Sequence, residues 1–223
     1  MHLAIVYFIV FLSSYLVGSI PTSIIISKLT KGIDIREHGS GNAGGTNVMR
    51  VLGWKQGLLV IILDALKGAF AVVVIARLHY GGLPFQNVSP FDDFTLVQII
   101  AGIAAVIGHI WTVFAGFRGG KGIATALGML IMIVTVDMLV AVGIFILVVS
   151  ISRYVSLGSI LAALSVPLTL VVRENILHDH IQSYSTLLPF LIAVSLLVVF
   201  THRKNVVRLL NGTESKLSFN TKK

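Results

Sequence analysis

Stretches of mainly apolar residues long enough to cross a bilayer recur along the chain, separated by short polar breaks, and few folds tolerate that pattern. Seven are read, at Leu3–Ile26, Gly57–Ala76, Thr95–Phe114, Ile123–Val136, Met138–Ile151, Leu157–Val172 and Tyr184–Thr201. A hydrocarbon core about 30 Å thick takes roughly 20 such residues per helix. Inside it every backbone N–H and C=O must find a partner within the protein, and a continuous apolar run meets that demand as a helix. Composition agrees, with 56% hydrophobic and 12% charged residues and a mean hydropathy of +0.94. The expected fold is an all-α integral membrane protein of seven transmembrane helices in a single domain, 1–223. The fourth and fifth stretches are short, and Asp137 and Arg153 bracket the fifth, so these two are expected either to tilt or to form a broken pair. The first stretch is too long for a signal peptide's apolar region and lacks a basic lead-in, so it is read as a spanning helix.

Charge gives the orientation. Lysine and arginine gather after the first, third, fifth and seventh stretches: Lys28, Lys31, Arg36, Arg50 and Lys55; Arg118 and Lys121; Arg153; then Arg203, Lys204, Arg208, Lys216, Lys222 and Lys223. The opposite loops hold Asp92, Asp93, Glu174 and Asp179. The positive-inside rule then predicts an N-terminus outside and a C-terminus in the cytoplasm. A net charge of +8 suits an anionic inner leaflet, so nucleic acid is not an expected partner. With no cysteine there is neither a disulfide nor a thiolate ligand or nucleophile.

The polar breaks on the predicted cytoplasmic side carry the chemistry. The first contains Gly39, Ser40, Gly41, Asn42, Gly44, Gly45, Thr46 and Asn47, followed by Arg50. Gly39, Gly41 and Gly44 match G-x-G-x-x-G, but a dinucleotide fingerprint needs a preceding strand, and this one lies between membrane helices. The small residues instead suit either an anion nest with hydroxyl, amide and guanidinium donors, or close helix packing. The second insertion includes His109, Trp111, Gly119, Gly120, Lys121 and Gly122. It is not a Walker P-loop, since Ala115 stands where the first glycine belongs and Gly122 where Ser or Thr would hold magnesium. Donors beside a lysine at a helix start still suit a phosphate. His109 reads as a hydrogen-bonding residue of the interface and Trp111 as part of the aromatic belt.

The third insertion is Arg153–Ser159, with Ser156 and Ser159, and the fourth starts at Thr201. In the fourth, His202, Asn205 and Arg208 fall near one helical face. They suit either a pocket at the membrane surface or a basic amphipathic tail held by anionic lipid. His178, Asp179 and His180 lie in an outer loop without further ligands, and Asp64 and Lys67, three apart, suit an ion pair within the bundle. No metal site and no cofactor is expected.

Three blocks in this order, KGIDIREHGSGNAGGTNVMRVLG, GHIWTVFAGFRGGKGIATALG and THRKNVVRLLNGTE, with RYVSLGS as a supporting fourth between the last two, carry a resemblance covering essentially the full chain. The chain resembles the bacterial acyl-phosphate:glycerol-3-phosphate acyltransferases, the PlsY family. The resemblance implies a multi-pass enzyme of the bacterial plasma membrane. It implies transfer of a fatty acyl group from acyl phosphate to the 1-hydroxyl of glycerol 3-phosphate, with lysophosphatidic acid and phosphate as products and no obligatory protein partner. It further implies important roles for Ser40 and Arg50, glycerol-phosphate binding by Gly119, Gly120, Lys121 and Gly122, function at His202 and Asn205, and a structural role for Glu214. One departure is Lys204, where family members often carry an acidic residue.

On this reading Ser40, Arg50, His202 and Asn205 are the expected catalytic residues. Gly41, Asn42, Gly44, Thr46, Asn47, the Gly119–Gly122 turn, Ser156 and Ser159 are the expected substrate contacts. Two proton acceptors remain open for the attacking hydroxyl: His202, or the donor's own phosphate.

Overall fold

The computed structural model describes residues 3–80 and 93–216. Asp92, Lys222 and Lys223 of the charge pattern lie outside the described residues. All described regular structure is helical, and the described residues form two compact units, 3–80 with 93–133, and 134–216.

The first unit contains α1 (Leu3–Gly18), α2 (Thr22–Lys31), α3 (Gly45–Leu52), α4 (Trp54–Val73), α5 (Asp93–Ile110) and α6 (Ile123–Ile133). The first predicted span is therefore not one rod; it breaks over Ser19–Pro21. Proline has no N–H to continue the ladder, and side chains from distant parts of the chain bond the carbonyls at the break. Thr112 Oγ1 donates to the Ser19 carbonyl, and Lys67 Nζ donates to that of Ile20 at 3.1 Å.

Small residues set the helix contacts. A Cβ on Gly68 of α4 would lie 2.0 Å from the Thr125 carbonyl of α6, and one on Gly128 of α6 would lie 1.9 Å from the Ala65 carbonyl of α4. Gly18 of α1 meets the Ala105 backbone of α5 in the same way. Without a hydrophobic drive between helices in lipid, such backbone-to-backbone approach supplies the packing. Val6, Val10, Ala71, Ala76, Val97, Ala101 and Ala105 form the buried apolar core of this end of the unit, whereas Phe8, Leu29, Ile62 and Leu66 are exposed, as lipid-facing residues would be.

The second unit contains α7 (Thr135–Ser152), α8 (Val155–Asn175), α9 (Tyr184–Thr201) and the short α10 (Arg203–Leu210). Pro167 interrupts α8, freeing the carbonyl four residues earlier; Ser195 Oγ of α9 donates to that Ala163 carbonyl at 2.6 Å. Asp137 does not bracket the fifth span. It is buried in the first turn of α7, and Arg173 Nη1 pairs with it at 2.8 Å, which is why the helix can begin two residues before the acid. Among the described residues, six segments are long and apolar enough to cross a membrane, while α6, with 11 residues, is shorter. At 1.5 Å per residue α6 reaches only about 16 Å. Of the two stretches expected to be short, only the fourth is.

Candidate active site

The first insertion is a fold of its own. After α2, residues 35–37 make one 3-10 turn whose N-cap Asp34 accepts from the Arg36 N–H at 3.0 Å and pairs with the Arg36 guanidinium at 2.7 Å. That hydrogen-bonded cation holds the Asp34 carboxyl well below its usual range, at about 2. Residues 39 and 41 then have φ of +61° and +72°, a left-handed backbone that glycine adopts without strain.

Asn47, nearly fully buried, closes the loop. Its Oδ1 accepts the Ser40 N–H at 2.8 Å, and its Nδ2 donates to the carbonyls of His38 at 2.9 Å and Ile35 at 3.1 Å. The Gly41 N–H turns to the His38 carbonyl and the Gly44 N–H to that of Asn42. Three amides of the expected nest, those of Ser40, Gly41 and Gly44, are thus spent within the loop. Asn47 is committed to the scaffold, and Gly45 serves packing, since a Cβ there would lie 2.4 Å from Ile61 Cγ1. Ser40, Gly41, Thr46 and Arg50 are exposed, and Asn42 is half-buried.

The second insertion lies directly against the first. Arg36 Nη1 donates to the Ala115 carbonyl at 2.8 Å and approaches that of Arg118 at 3.4 Å. A Cβ on Gly120 would sit 2.6 Å from the Ala43 carbonyl, so the two glycine-rich segments are in backbone contact. Here too the first two amides of the turn are spent internally: Gly119 N–H on the Ile110 carbonyl at 3.0 Å, Gly120 N–H on that of His109 at 3.1 Å. What remains for a ligand is Lys121, which is exposed, and the first turn of α6, which begins just after Gly122. The leading N–H groups of a helix lack intrahelical acceptors.

Behind this surface lies a buried polar cluster of which sequence reading recognised only the Asp64–Lys67 pair. Lys67 Nζ stands 2.9 Å from Asp64 Oδ1, and the same oxygen accepts from Thr22 Oγ1 at 2.5 Å and faces His109 Nδ1 at 3.4 Å. His109 is therefore buried between elements, not at the lipid interface as its position suggested. Thr22 and His109 lie far from Asp64 in sequence, so no local pattern announced them.

In the second unit the third and fourth insertions meet at Glu214. One carboxylate oxygen accepts from Ser156 Oγ at 2.7 Å and Asn205 Nδ2 at 2.8 Å, and the other accepts from Arg208 Nε at 2.7 Å. These donors hold its pKa down to about 2. Ser156, Asn205 and Arg208 thus each spend a donor on Glu214. Ser159 instead donates back to the Val155 carbonyl of its own helix at 2.9 Å. Lys204 is exposed while Asn205 turns inward, so the unusual cation stands away from the amide. His202 joins α9 to α10, and its Nδ1 lies 2.8 Å from the Val198 carbonyl. A carbonyl only accepts, so Nδ1 carries the proton and a neutral ring presents a bare Nε2.

Membrane helices carrying hydroxyl, amide and cationic donors on polar insertions, with the carboxylates Asp34 and Glu214 already neutralised by arginine, define a membrane protein suited to an anionic substrate. The family described as glycerol-3-phosphate acyltransferase matches residues 8–212. A glycerol-3-phosphate acyltransferase of Chlorobaculum tepidum is 47% identical, covering 94% of this chain and 95% of that protein; one of Chlorobium phaeobacteroides is 48% identical, covering 92% and 94%. The crystal structure of PlsY (YgiH), an integral membrane glycerol 3-phosphate acyltransferase, in its glycerol 3-phosphate form is 36% identical. It has a TM-score of 0.68, with 95% of this chain and 96% of that one covered. Its lysophosphatidic acid form gives a TM-score of 0.69. The chain belongs to the PlsY family of integral membrane glycerol-3-phosphate acyltransferases.

Proposed function

We propose that the enzyme takes its acyl group from a long-chain acyl phosphate and delivers it to the 1-hydroxyl of sn-glycerol 3-phosphate, releasing lysophosphatidic acid and inorganic phosphate for phospholipid synthesis. The observation that carries this reading is the backbone contact between the Ser40–Gly44 loop and the Gly119–Gly120 turn, which brings Ser40 and Lys121 to one region of the first unit. Lys121 and the start of α6 suit the phosphate of the alcohol substrate. Ser40, Thr46 and Arg50 suit a second phosphate, with Arg50 supplying a bidentate fork.

The chemistry asks little more than orientation and charge stabilisation, because a mixed anhydride is already activated. The hydroxyl oxygen attacks the acyl carbon, the bond from that carbon to the bridging phosphate oxygen breaks, and the leaving phosphate takes the electron pair. The hydroxyl proton passes either to His202, through Nε2, or to the donor phosphate. The acyl chain lies along the lipid-facing side. A plasma-membrane location, with the basic insertions in the cytoplasm, places the site beside both substrates.

The deciding experiment supplies purified protein with glycerol 3-phosphate and either acyl phosphate or acyl-CoA. Lysophosphatidic acid is expected from acyl phosphate alone; product from acyl-CoA alone overturns the donor assignment.

A further inference from the structure

The Asp64–Lys67 pair has no part in the reaction just described, yet it is buried in the first unit, with side chains 2% and 6% exposed. A buried ion pair is seldom a source of net stability, since apolar residues of similar volume usually do as well. What such a pair does is fix the geometry of whatever it touches. On one side, Lys67 Nζ holds the Ile20 carbonyl at the break between α1 and α2, and α2 leads into the Ser40 loop. On the other side, Asp64 Oδ1 faces His109 Nδ1 at 3.4 Å.

The far edge of the His109 ring lies against the glycine turn. A Cβ built on Gly120 would come within 2.2 Å of His109 Nε2, and one on Gly119 within 1.9 Å of the His109 carbonyl. That same carbonyl accepts the Gly120 N–H at 3.1 Å. The imidazole is thus clamped between a buried carboxylate and the backbone of residue 120, one residue before Lys121.

We propose that His109, oriented by Asp64 and Lys67, is a positioning residue that sets the Gly119–Lys121 turn for the phosphate of glycerol 3-phosphate. The inference rests on the assignment of that turn to the alcohol substrate. It explains why residue 120 must be glycine: the ring occupies the space of its Cβ. It also gives the intramembrane charges a task, since the carboxylate orients the imidazole, the ammonium holds the carboxylate, and Thr22 locks the same oxygen.

The test compares His109→Leu, His109→Asn and Lys121→Ala in purified enzyme. His109→Leu removes the group facing Asp64, whereas the amide of His109→Asn retains a donor near the position of Nδ1. The expected result is that His109→Leu raises the KM for glycerol 3-phosphate about tenfold, with a smaller change in kcat and none in the KM for acyl phosphate. His109→Asn returns that KM to within about threefold of the parent, effects of the size of one hydrogen-bonded constraint. A double variant with Lys121→Ala is expected to be little worse than Lys121→Ala alone.

A packing role predicts instead that kcat and both KM values change together, or that leucine serves as well as asparagine; either result overturns the proposal. If Lys121→Ala raises the KM and His109→Leu does not, the substrate site stands and the positioning role falls. If Lys121→Ala leaves that KM unchanged, the site assignment itself fails and the inference with it. Should His109→Leu not be recovered folded, Thr22→Val carries the test, removing one donor from Asp64 and keeping the ion pair. A rise of about threefold in the same KM supports the proposal, and an unchanged KM overturns it.

Discussion

His202 is the residue whose chemistry is most exposed to experiment. Its Nδ1 is tied to the Val198 carbonyl, so a neutral ring offers Nε2 as proton acceptor. If it is the base, His202→Gln is expected to lower kcat by about 10²–10⁴ with little change in KM; near-normal turnover in a steady-state assay would assign the proton to the donor phosphate. Lys121→Ala acts differently: losing one charge-assisted contact worth about 1.5–3 kcal/mol raises the KM for glycerol 3-phosphate by roughly 10- to 100-fold.

Glu214 gives a pH prediction with a definite sign. Its folded pKa is depressed to about 2 from 4.5 by Asn205, Ser156 and Arg208. The stabilisation it contributes is therefore fully present above pH 4.5 and is lost as the pH falls from there through about 2. Thermal unfolding of detergent-solubilised protein should show that acid dependence, and Glu214→Gln should flatten it. Asp34, lowered from 3.8 to about 2 chiefly by its hydrogen bond with Arg36, loses its contribution over an overlapping window, so Asp34→Asn together with Glu214→Gln should flatten it further.

Helices in this chain meet through missing side chains and freed carbonyls. Gly68 and Gly128 let α4 and α6 touch backbone to backbone, so Gly68→Leu, with no space for the added atoms, is expected to destabilise the protein by about 1–3 kcal/mol or more and to lower its Tm in detergent. Ser195→Ala tests a different link, the hydroxyl that satisfies the Ala163 carbonyl freed by Pro167. Its cost should be nearer 1 kcal/mol, typical of hydrogen bonds between membrane helices. The same logic accounts for the break in the first predicted span. Hydropathy runs on through Ile20, so the sequence reads as one helix, but Pro21 lacks a donor and the chain breaks there, where Thr112 and Lys67 bond the Ser19 and Ile20 carbonyls from elsewhere. Removing Lys67 alone leaves Asp64 buried without its cation, and a loss of about 3–5 kcal/mol is expected for Lys67→Met.

Across the chain, orientation is the property that charge predicts and a cysteine-free sequence makes easy to measure. Single cysteines replacing Lys31 and Gln182, both exposed, should react with a membrane-impermeant maleimide from opposite sides of sealed vesicles: Lys31→Cys from the cytoplasmic face, Gln182→Cys from the outer face. Labelling of both from one face would overturn the positive-inside reading. Within each unit the polar insertions come together in pairs, the first with the second through Arg36 and Gly120, the third with the fourth through Glu214. Charge clustering announced the side on which they fall; it said nothing of which would touch.

Apolar length, the placement of lysine and arginine, and the motif blocks were enough to determine a helical membrane protein, its family and most of the residues worth testing. These signals are local, and the bilayer reads each span nearly independently of the rest. Tertiary structure decided what those residues do with their donors. Asn47, Ser156, Asn205 and the amides of Gly119 and Gly120 all looked available for substrate, and the fold commits much of that capacity to loop closure, because an unpaired polar group costs most where water is scarce. The fold likewise brought Thr22 and His109 to Asp64 from distant parts of the chain, a meeting set by the packing of α2, α4 and α5 that no spacing along the sequence encodes.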